Sequence, residues 1–172
     1  MKLPEKFRET IISDLGEEEA LKLFEALSTP PPVSIRLNPQ KHTDIPFPSI
    51  PVTWCPEGYY LNERPIFTTD PLFHAGVYYV QEASSMFLSH VLKNITHNTP
   101  VKILDLCAAP GGKSTLISSV MPEGSLLVSN EVIKTRNGIL QENLSRWGIP
   151  NFMVSCNDPR DFKKIKEYFD II

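Results

Sequence analysis

The sequence contains few cysteines, and their arrangement excludes two kinds of site. Only Cys55, Cys107 and Cys156 occur among 172 residues, and they are far apart and odd in number. A disulfide framework needs paired cysteines, and a zinc knuckle needs two of them within a few residues. The sequence therefore predicts neither disulfides nor a bound metal.

Long apolar runs are also missing. No stretch approaches the roughly 20 apolar residues that span a bilayer, and the opening segment MKLPEKFRET lacks the apolar core of a secretion signal. We therefore expect a cytoplasmic protein without a membrane partner. The formal net charge of -3 gives no general attraction to nucleic acid. Any RNA contact must come from a local basic cluster or from chain outside this sequence.

Residues 1–72 have the pattern of a small α+β domain. LPEKFRETIISDL places Pro4 at a helix start, and GEEEALKLFEAL opens with glutamates where the helix dipole favours negative charge. The next segment, residues 28–60, carries eight of the sixteen prolines, which disfavour helix, and VSIRL within it alternates like a strand. We predict two helices, then strands joined by proline turns, with a domain boundary near residue 72.

Strand and helix patterns alternate across residues 73–172. The predicted order is strand HAGVYYVQE, helix ASSMFLSHVLKNI, strand VKILDLCA, helix GKSTLISSVM, strand SLLVSNEV, helix KTRNGILQENLSRW, strand NFMVSC, helix DPRDFKKIKEYF and a final fragment FDII. Such alternation implies right-handed crossovers and a parallel, doubly wound α/β sheet.

Two of these helices have a predicted buried face. In the first helix, that face consists of Ala83, Phe87 and Val91. In the third, it consists of Leu140, Leu144 and Trp147, and Gly148 followed by Pro150 marks the end of the helix.

The sequence ends inside the predicted strand FDII. A half-built parallel sheet leaves an edge and one face uncovered, which a complete natural protein avoids. We therefore expect the chain to be a fragment.

The segment ILDLCAAPGGKST joins a buried strand to a helix through a loop of small residues. In a doubly wound sheet, ligands bind at the carboxyl ends of the strands, beside the unpaired N–H groups of a helix N-terminus. Ala108, Ala109, Gly111 and Gly112 allow close approach to the backbone, and the helix dipole favours an anion. The loop therefore predicts a site for a carboxylate or a phosphate.

Two common phosphate-binding patterns do not fit this loop. A nucleoside-triphosphate loop, G-x-x-x-x-G-K-[ST], requires glycine where this sequence has Cys107. A dinucleotide fingerprint, G-x-G-x-x-G, requires spaced glycines, whereas Gly111 and Gly112 are adjacent and follow the rigid Pro110.

Acidic residues follow the next two strands. Glu131 lies twenty positions after Gly111, near the spacing of about 20 at which a carboxylate receives ribose hydroxyls. Asp158 ends the following strand, where its carboxylate can accept the adenine amino group. S-adenosylmethionine fits this pattern because it offers a carboxylate, a ribose and an adenine but no phosphate. Its sulfonium charge also suits a pocket containing Asp105.

Each of these residues also has a purely structural interpretation. Glu131 can cap a helix or lie in a solvated turn, and Asp158 before Pro159 can start a turn or helix. Lys113 can be a solvated helix residue, and Cys107 a small core residue. Their common spacing around one loop favours the cofactor interpretation.

The motif DLCAAPGGKS resembles the cofactor loop D-x-C-A-A-P-G-G-K of the Sun/nucleolar-protein (NSUN) family of RNA (cytosine-5) methyltransferases. The similarity extends back to SIRLNP and YYVQEASSM and forward through NEVIKTRNGILQENLSRWG to Asn157 and Asp158. The N-terminal part looks most like the bacterial, RsmF-like branch that modifies 16S ribosomal RNA. The resemblance implies a Rossmann-like class I methyltransferase sheet, incomplete in this chain, after a small α+β domain.

The resemblance also implies a site for S-adenosyl-L-methionine. The methionine end would be held by Cys107, Ala108, Ala109, Pro110, Gly111, Gly112 and Lys113. Glu131 would bind the ribose, Asp158 would lie by the adenine, and Arg136 matches a basic position of the family. Gln81 and Glu82 are expected to support the site rather than to react.

The family's reaction requires a cysteine that we do not find in this sequence. A thiolate adds to C6 of cytosine, C5 then attacks the methyl group, and a base removes the C5 proton. The family carries this thiol in a T-C-S segment and a second cysteine in a P-C-S segment, both expected after FDII. We assign no catalytic residue and expect the chain alone to be inactive, with Cys107 in the cofactor loop and Cys156 packed in a strand.

The predicted substrate is RNA, specifically 16S ribosomal RNA or the small ribosomal subunit. Candidate RNA contacts, each with solvated surface as the alternative, are Lys2, Lys6, Arg8, Arg36, Lys41 and Arg64. Two other functions stay open: a noncatalytic RNA-binding or ribosome-assembly module on the same fold, and a methyltransferase with a different acceptor.

Overall fold

The computed structural model describes residues 3–41, 44, 47–148 and 150–172. They belong to two compact units, residues 3–32 and Val33–Ile172. The first unit contains helices α1 (Glu5–Leu15) and α2 (Glu17–Ser28), which confirms both predicted helices. Within this unit the rings of Phe7 and Phe24 pack with their centroids 6.3 Å apart.

The second unit begins with an antiparallel sheet. Its four strands are β1 (Val33–Leu37), β2 (Ser49–Pro51), β3 (Gly58–Leu61) and β4 (Tyr78–Val80), in the spatial order β2-β3-β1-β4. A short 3-10 helix (Phe67–Thr69) and helix α3 (Pro71–His74) connect β3 to β4. The predicted strand VSIRL is confirmed as β1.

Strand β4 lies after the domain boundary predicted near residue 72, yet it pairs with β1, with Ile35 opposite Val80. The change from antiparallel to parallel pairing comes after β4. The boundary itself stays a prediction.

Helices α4 (Ala83–Met86) and α5 (Leu88–Thr96) then lead into a parallel sheet. Its strands are β5 (Lys102–Asp105), β6 (Leu126–Asn130) and β7 (Phe152–Ser155), in that spatial order, and they alternate with helices α6 (Gly112–Val120) and α7 (Lys134–Trp147). Ile171 forms a parallel bridge with Ile103 of β5, and its carbonyl accepts the Leu104 N–H at 2.9 Å. The predicted α/β arrangement is confirmed, including the alignment of FDII beside the sheet. No helix among the described residues is long and apolar enough to cross a membrane.

The buried face predicted for the helix after β4 is confirmed at Ala83, which is 5% exposed, but is wrong at Phe87 and Val91. The segment forms two helices with a break at Phe87, which is 50% exposed, while Val91 is 39% exposed. Met86 and Leu92 instead pack in the core beside Ile103. The periodicity of one continuous helix does not apply across the break, so the inward face shifts.

Helix α7 matches its prediction. Leu140, Leu144 and Trp147 are all buried, and Gly148 ends the helix with a φ of 84°, in the left-handed region that favours glycine.

The predicted last helix, DPRDFKKIKEYF, is wrong. The structure has only a 3-10 helix, Pro159–Lys164, which contains no buried residue. A longer helix would lack the buried apolar face that usually stabilises one.

Candidate cofactor site

The loop between β5 and α6 is shaped by its backbone and by small side chains. The Ala108 N–H donates to the Asn130 carbonyl and the Gly111 N–H to the Ala108 carbonyl, both at 2.8 Å. Gly111 has a φ of 111°, which favours glycine, and a Cβ there would meet Leu140 at 3.2 Å. Ala108 and Ala109 are buried against Leu140 of α7. Larger residues would therefore push the loop away from α7.

Asn130 holds the ends of the three strands together. Its fully buried side-chain amide donates to the carbonyls of Leu106 and Asn157 at 3.2 and 3.0 Å. Its side-chain oxygen accepts from the Ser155 hydroxyl and the Asn157 N–H at 2.8 and 3.0 Å. The loops that follow β5 and β7 are thus fixed to the end of β6.

The first turn of α6 presents free amide groups. The Thr115 N–H donates to the Gly111 carbonyl at 2.8 Å, but within the described ranges the N–H groups of Gly112, Lys113 and Ser114 have no backbone acceptor. Such groups carry the positive end of the helix dipole, and the exposed Lys113 adds a full positive charge. This arrangement suits an anion.

A cavity of about 210 Å³ opens beside this turn. Six of the seven predicted loop residues line it, namely Cys107–Pro110, Gly112 and Lys113. The remaining walls come from residues 79–82 and Ser85, in and after β4, and from Asp105 at the end of β5. Gly111 is buried behind the loop as the N-cap of α6.

Asp105 brings a carboxylate into the cavity. It accepts the Ser114 hydroxyl at 2.7 Å, and the Ser129 hydroxyl in turn donates to Ser114 at 3.0 Å. Burial raises the pKa of Asp105 above its usual value, while the Ser114 hydrogen bond and the charge of Lys113 act in the opposite direction. The lining of this one cavity thus contains both a carboxylate and an ammonium group.

Glu131 and Arg136 form a link between β6 and the loop. The buried Glu131 carboxylate accepts the Ile133 N–H at 2.9 Å and lies 3.2 Å from the Arg136 guanidinium. Arg136 also donates to the Ala109 carbonyl at 2.7 Å. Neither side chain lines the cavity. The predicted ribose contact of Glu131 stays a prediction, and Arg136 gains a defined contact to the loop.

Asp158 occupies the position that its structural interpretation expects. Its carboxylate caps the 3-10 helix by accepting the Arg160 N–H at 2.9 Å, and it pairs with the Arg160 guanidinium at 2.7 Å. These hydrogen bonds lower the pKa of Asp158 to about 2. It does not line the cavity, so its adenine contact stays a prediction.

Cys156 differs from its expected environment, whereas Cys107 lies in the loop at the cavity, where it was predicted. Cys156 was expected to be packed in a strand, but it lies just after β7 and is exposed, with its Sγ 3.8 Å from the Val132 carbonyl oxygen. Cys107 is exposed at the cavity rather than packed in the core, whereas Cys55 is buried.

Arg36 is buried and supports the first turn of α6, so its prediction as an RNA contact is wrong. It was a candidate RNA contact, but it is only 2% exposed. Its guanidinium donates to the side-chain oxygens of Gln81 and Thr115 at 2.8 and 2.7 Å. The Gln81 side-chain amide and the Thr115 hydroxyl both donate to the Gly112 carbonyl, at 3.1 and 3.0 Å. Arg36 therefore stabilises the first turn of α6 through the side chains of Gln81 and Thr115.

The other candidate RNA contacts vary in exposure. Lys6, Arg8 and Arg64 are exposed, and Lys41 donates to the carbonyls of Ala75 and Arg146. Lys2 lies outside the described residues.

Tyr79 was missed as a cavity residue, although its spacing of two from Gln81 on a strand places both side chains on one face.

Known proteins match both parts of the chain. Residues 3–83 match the N-terminal domain of 16S rRNA methyltransferase RsmF, and residues 90–172 match 16S rRNA methyltransferase RsmB/F. The ribosomal RNA small subunit methyltransferase F of Cronobacter sakazakii is 37% identical over 71% of this chain and 26% of its own length. That of Shewanella piezotolerans is 30% identical over 98% of this chain and 38% of its own length. The chain thus spans about a quarter to two fifths of these curated relatives.

Solved structures share the fold. A methyltransferase homologue from Pyrococcus horikoshii superposes with a TM-score of 0.76 at 26% identity, over 98% of this chain and 62% of that chain. NSun6 from the same organism, solved with the S-adenosylmethionine analogue SFG, has a TM-score of 0.73 at 18% identity, over 94% and 67%.

The parallel sheet and the loop after β5 therefore define an S-adenosylmethionine-dependent methyltransferase fold. Both family matches and the similarity to full-length relatives identify the group within this class. The chain belongs to the RsmB/F (NSUN-type) family of 16S rRNA (cytosine-5) methyltransferases. The predicted resemblance, fold class and cofactor are confirmed.

Proposed function

We propose that this chain is the cofactor-binding part of a cytoplasmic enzyme that forms 5-methylcytosine in 16S ribosomal RNA. The observation that carries the proposal is the cavity beside α6, where the first-turn N–H groups, Lys113 and the Asp105 carboxylate surround one space. A zwitterionic ligand with an adjacent sulfonium complements both charges. The names of the relatives support ribosomal RNA as the substrate.

The chemistry of the residues fits S-adenosylmethionine. We assign its amino-acid carboxylate to the N–H groups of Gly112, Lys113 and Ser114, and its sulfonium to the neighbourhood of Asp105. The cavity of about 210 Å³ is smaller than the roughly 300–1,000 Å³ of whole ligand sites. It therefore accommodates the methionine end, which leaves the ribose to Glu131 and the adenine to Asp158.

The proposed reaction follows the covalent route of the family. When bound, the cofactor supplies an electrophilic methyl group. A cysteine thiolate, which we place outside residues 1–172, forms a bond to C6 of the cytosine and raises the electron density at C5. C5 takes the methyl group, which leaves S-adenosylhomocysteine; a base then removes the C5 proton and the C6–S bond breaks, which returns the thiolate. Residues of this chain bind and orient the methyl donor.

Cofactor binding is tested with a methyl group added to the cavity wall. A Cβ at Gly112 would lie 3.3 Å from the Tyr79 ring, so Gly112→Ala narrows the site at a helical position that tolerates alanine. We expect calorimetry to detect S-adenosylhomocysteine binding to the natural chain and an affinity at least tenfold lower for Gly112→Ala.

The matched control is Gly138→Ala on α7. A Cβ there has no neighbour within 4 Å, so we expect unchanged affinity and about 0.5–1 kcal/mol of added stability. A folded natural chain that releases no heat with S-adenosylhomocysteine, or equal affinities for both variants, would contradict the proposal.

The placement of the nucleophile has its own test. We expect the 172-residue chain, incubated with methyl-labelled S-adenosylmethionine and 16S ribosomal RNA, to form no 5-methylcytosine. If product appears and is lost in Cys107→Ser or Cys156→Ser, the nucleophile lies within this chain and our assignment is wrong.

A further inference from the structure

A second cavity adjoins the cofactor cavity. It has a volume of about 240 Å³ and shares Tyr79 and Val80 with the first cavity. Its other walls are Arg64, Phe67, Phe73, Asn143 and Arg146. Two arginines and three aromatic rings therefore surround one concave space beside the site of methyl transfer.

Both arginines of this cavity rest on aromatic rings. The Arg64 guanidinium lies 5.7 Å from the Phe67 centroid, and that of Arg146 lies 4.8 Å from the Phe73 centroid. Arg146 also donates to the Asn143 side chain. Within the described part of the chain, no carboxylate lies within 4.0 Å of either guanidinium. Their positive charge is held in place by stacking, not neutralised.

A third cation lies next to Arg146. The Lys41 ammonium donates to the Arg146 carbonyl at 2.7 Å and to the Ala75 carbonyl at 2.6 Å. A chain with a formal net charge of -3 thus gathers several cations at one place. Such a local concentration of positive charge attracts a polyanion.

The cavity is connected to the cofactor loop. The Asn143 amide donates to the Pro110 carbonyl at 2.7 Å, and the Tyr79 hydroxyl donates to the same oxygen at 3.5 Å. A molecule bound between Tyr79 and Arg146 therefore lies against residues that contact the methyl-donor loop. This position suits a substrate segment rather than an unrelated ligand.

We propose that this cavity binds one nucleotide of single-stranded RNA, adjacent to the nucleotide that is methylated. Arg64 and Arg146 contact its phosphate, and the base stacks against Phe73. Single-stranded RNA is recognised by this combination of phosphate contacts and base stacking on aromatic residues. The target cytosine has to face the methyl group, so this neighbouring cavity takes a flanking nucleotide. The inference rests on the function proposed above.

The proposal is tested by measuring how the natural chain binds a fluorescein-labelled single-stranded RNA pentanucleotide. We expect fluorescence anisotropy to give an affinity at least tenfold lower for Arg64→Gln/Arg146→Gln at 50 mM salt. Loss of the contacts to this one phosphate should also reduce the slope of log affinity against log salt by about 0.7, the value per neutralised phosphate for single strands. Because Arg64 is exposed, Arg64→Gln alone should give part of both effects with an unchanged circular dichroism spectrum.

The matched control is Lys163→Gln/Lys166→Gln. It removes the same charge from exposed residues that line neither cavity, and we expect its affinity to stay within twofold of the natural chain. A separate variant, Phe73→Leu, should reduce the quenching of a 2-aminopurine base in the RNA without changing the salt slope, because stacking is lost and charge is kept.

Several results would overturn the inference. Equal weakening by the control variant would mean general electrostatic attraction, and full displacement by inorganic polyphosphate with no effect of Phe73→Leu would mean a site for any polyanion. Natural affinity in the double arginine variant would exclude the cavity.

S-adenosylhomocysteine calorimetry separates this inference from the proposed function. The double arginine variant should keep its cofactor affinity while losing RNA. A natural chain that binds RNA through Arg64 and Arg146 but binds no cofactor would refute the proposed function and leave the RNA cavity standing.

Discussion

At the scale of single residues, the charged groups around the loop combine two tasks. Glu131 was open to interpretation as a helix cap or as a ribose ligand, and in the structure its carboxylate accepts the Ile133 N–H while pairing with Arg136. A residue fixed in this way is held near the loop before any ligand binds. Capping and ligand binding are therefore compatible for Glu131, because a carboxylate has about four acceptor positions.

Asp105 provides a prediction at this scale. Burial raises the pKa of Asp105, so the folded state holds its proton more tightly than the unfolded state does. Its contribution to stability is complete below the unfolded value near 4 and is lost as pH rises through the folded pKa. Asp105→Asn removes this ionisation, so we expect its melting temperature relative to the natural chain to be higher at pH 7 than at pH 4. Thermal melts at both pH values check this, and a pH-independent difference would exclude the mechanism.

The sequence predicted which residues line the cavity better than it predicted which side chains pack and hydrogen-bond against the loop. The spacing of small residues after a buried strand identified the cavity wall, since only small residues permit close backbone approach. Arg36 was misplaced because VSIRL alternates, which predicts one solvated face, whereas both faces of β1 at Arg36 are covered in the folded chain. Coverage of the second face depends on residues about 80 to 110 positions later, which a local pattern does not contain.

At the scale of elements, helices with a single continuous apolar stripe were predictable and interrupted ones were not. Helix α7 has its stripe and its glycine stop within one segment, so pattern and structure agree. The helix after β4 breaks at Phe87, and nothing in its composition marks that break. The 3-10 helix Pro159–Lys164 has no buried residue. The longer helix predicted for DPRDFKKIKEYF therefore does not form.

Packing of α7 against the loop provides the element-scale prediction. Leu144 is 1% exposed and packs in the cluster that contains Ala108 and Ala109. We expect Leu144→Ala to lower the free energy of unfolding by about 2–5 kcal/mol and to weaken S-adenosylhomocysteine binding. Ile139→Ala, at a half-exposed position on the same helix, should change stability by no more than about 0.5 kcal/mol. Urea denaturation measures both, and equal effects would show that α7 does not brace the loop through Leu144.

At the scale of the whole molecule, Arg36 joins the antiparallel sheet to the parallel one. Its guanidinium lies 4.5 Å from the Trp147 ring of α7 and bonds to Thr115 of α6. Burial lowers the pKa of Arg36 to about 10, so it stays charged at neutral pH. Its hydrogen-bond acceptors include the neutral side-chain oxygens of Gln81 and Thr115, and its guanidinium lies over the aromatic face of Trp147.

Replacing Arg36 provides the prediction at this scale. Arg36→Met leaves the side chains of Gln81 and Thr115 without their donor, so we expect a loss of about 2–5 kcal/mol in the free energy of unfolding. Arg8→Met is the control, because that exposed arginine also lies over a ring, 4.7 Å from the Phe24 centroid, and exposed cation–π pairs contribute about 0.5–1 kcal/mol. Arg36→Lys should not restore stability, since lysine lacks the planar fork. Chemical denaturation of all three variants measures the free energy of unfolding. Equal decreases for Arg36→Met and Arg8→Met would refute the stabilising role of Arg36.

The position of Arg36 also constrains how such chains can diverge. Arg36 and Gln81 belong to the segment that matches the RsmF N-terminal domain, while Thr115 and Trp147 belong to the segment that matches RsmB/F. Recombination between relatives at the junction of these segments would separate a buried cation from its acceptors. We therefore expect chimaeras joined at this point to fold only when both parents supply the same four side chains.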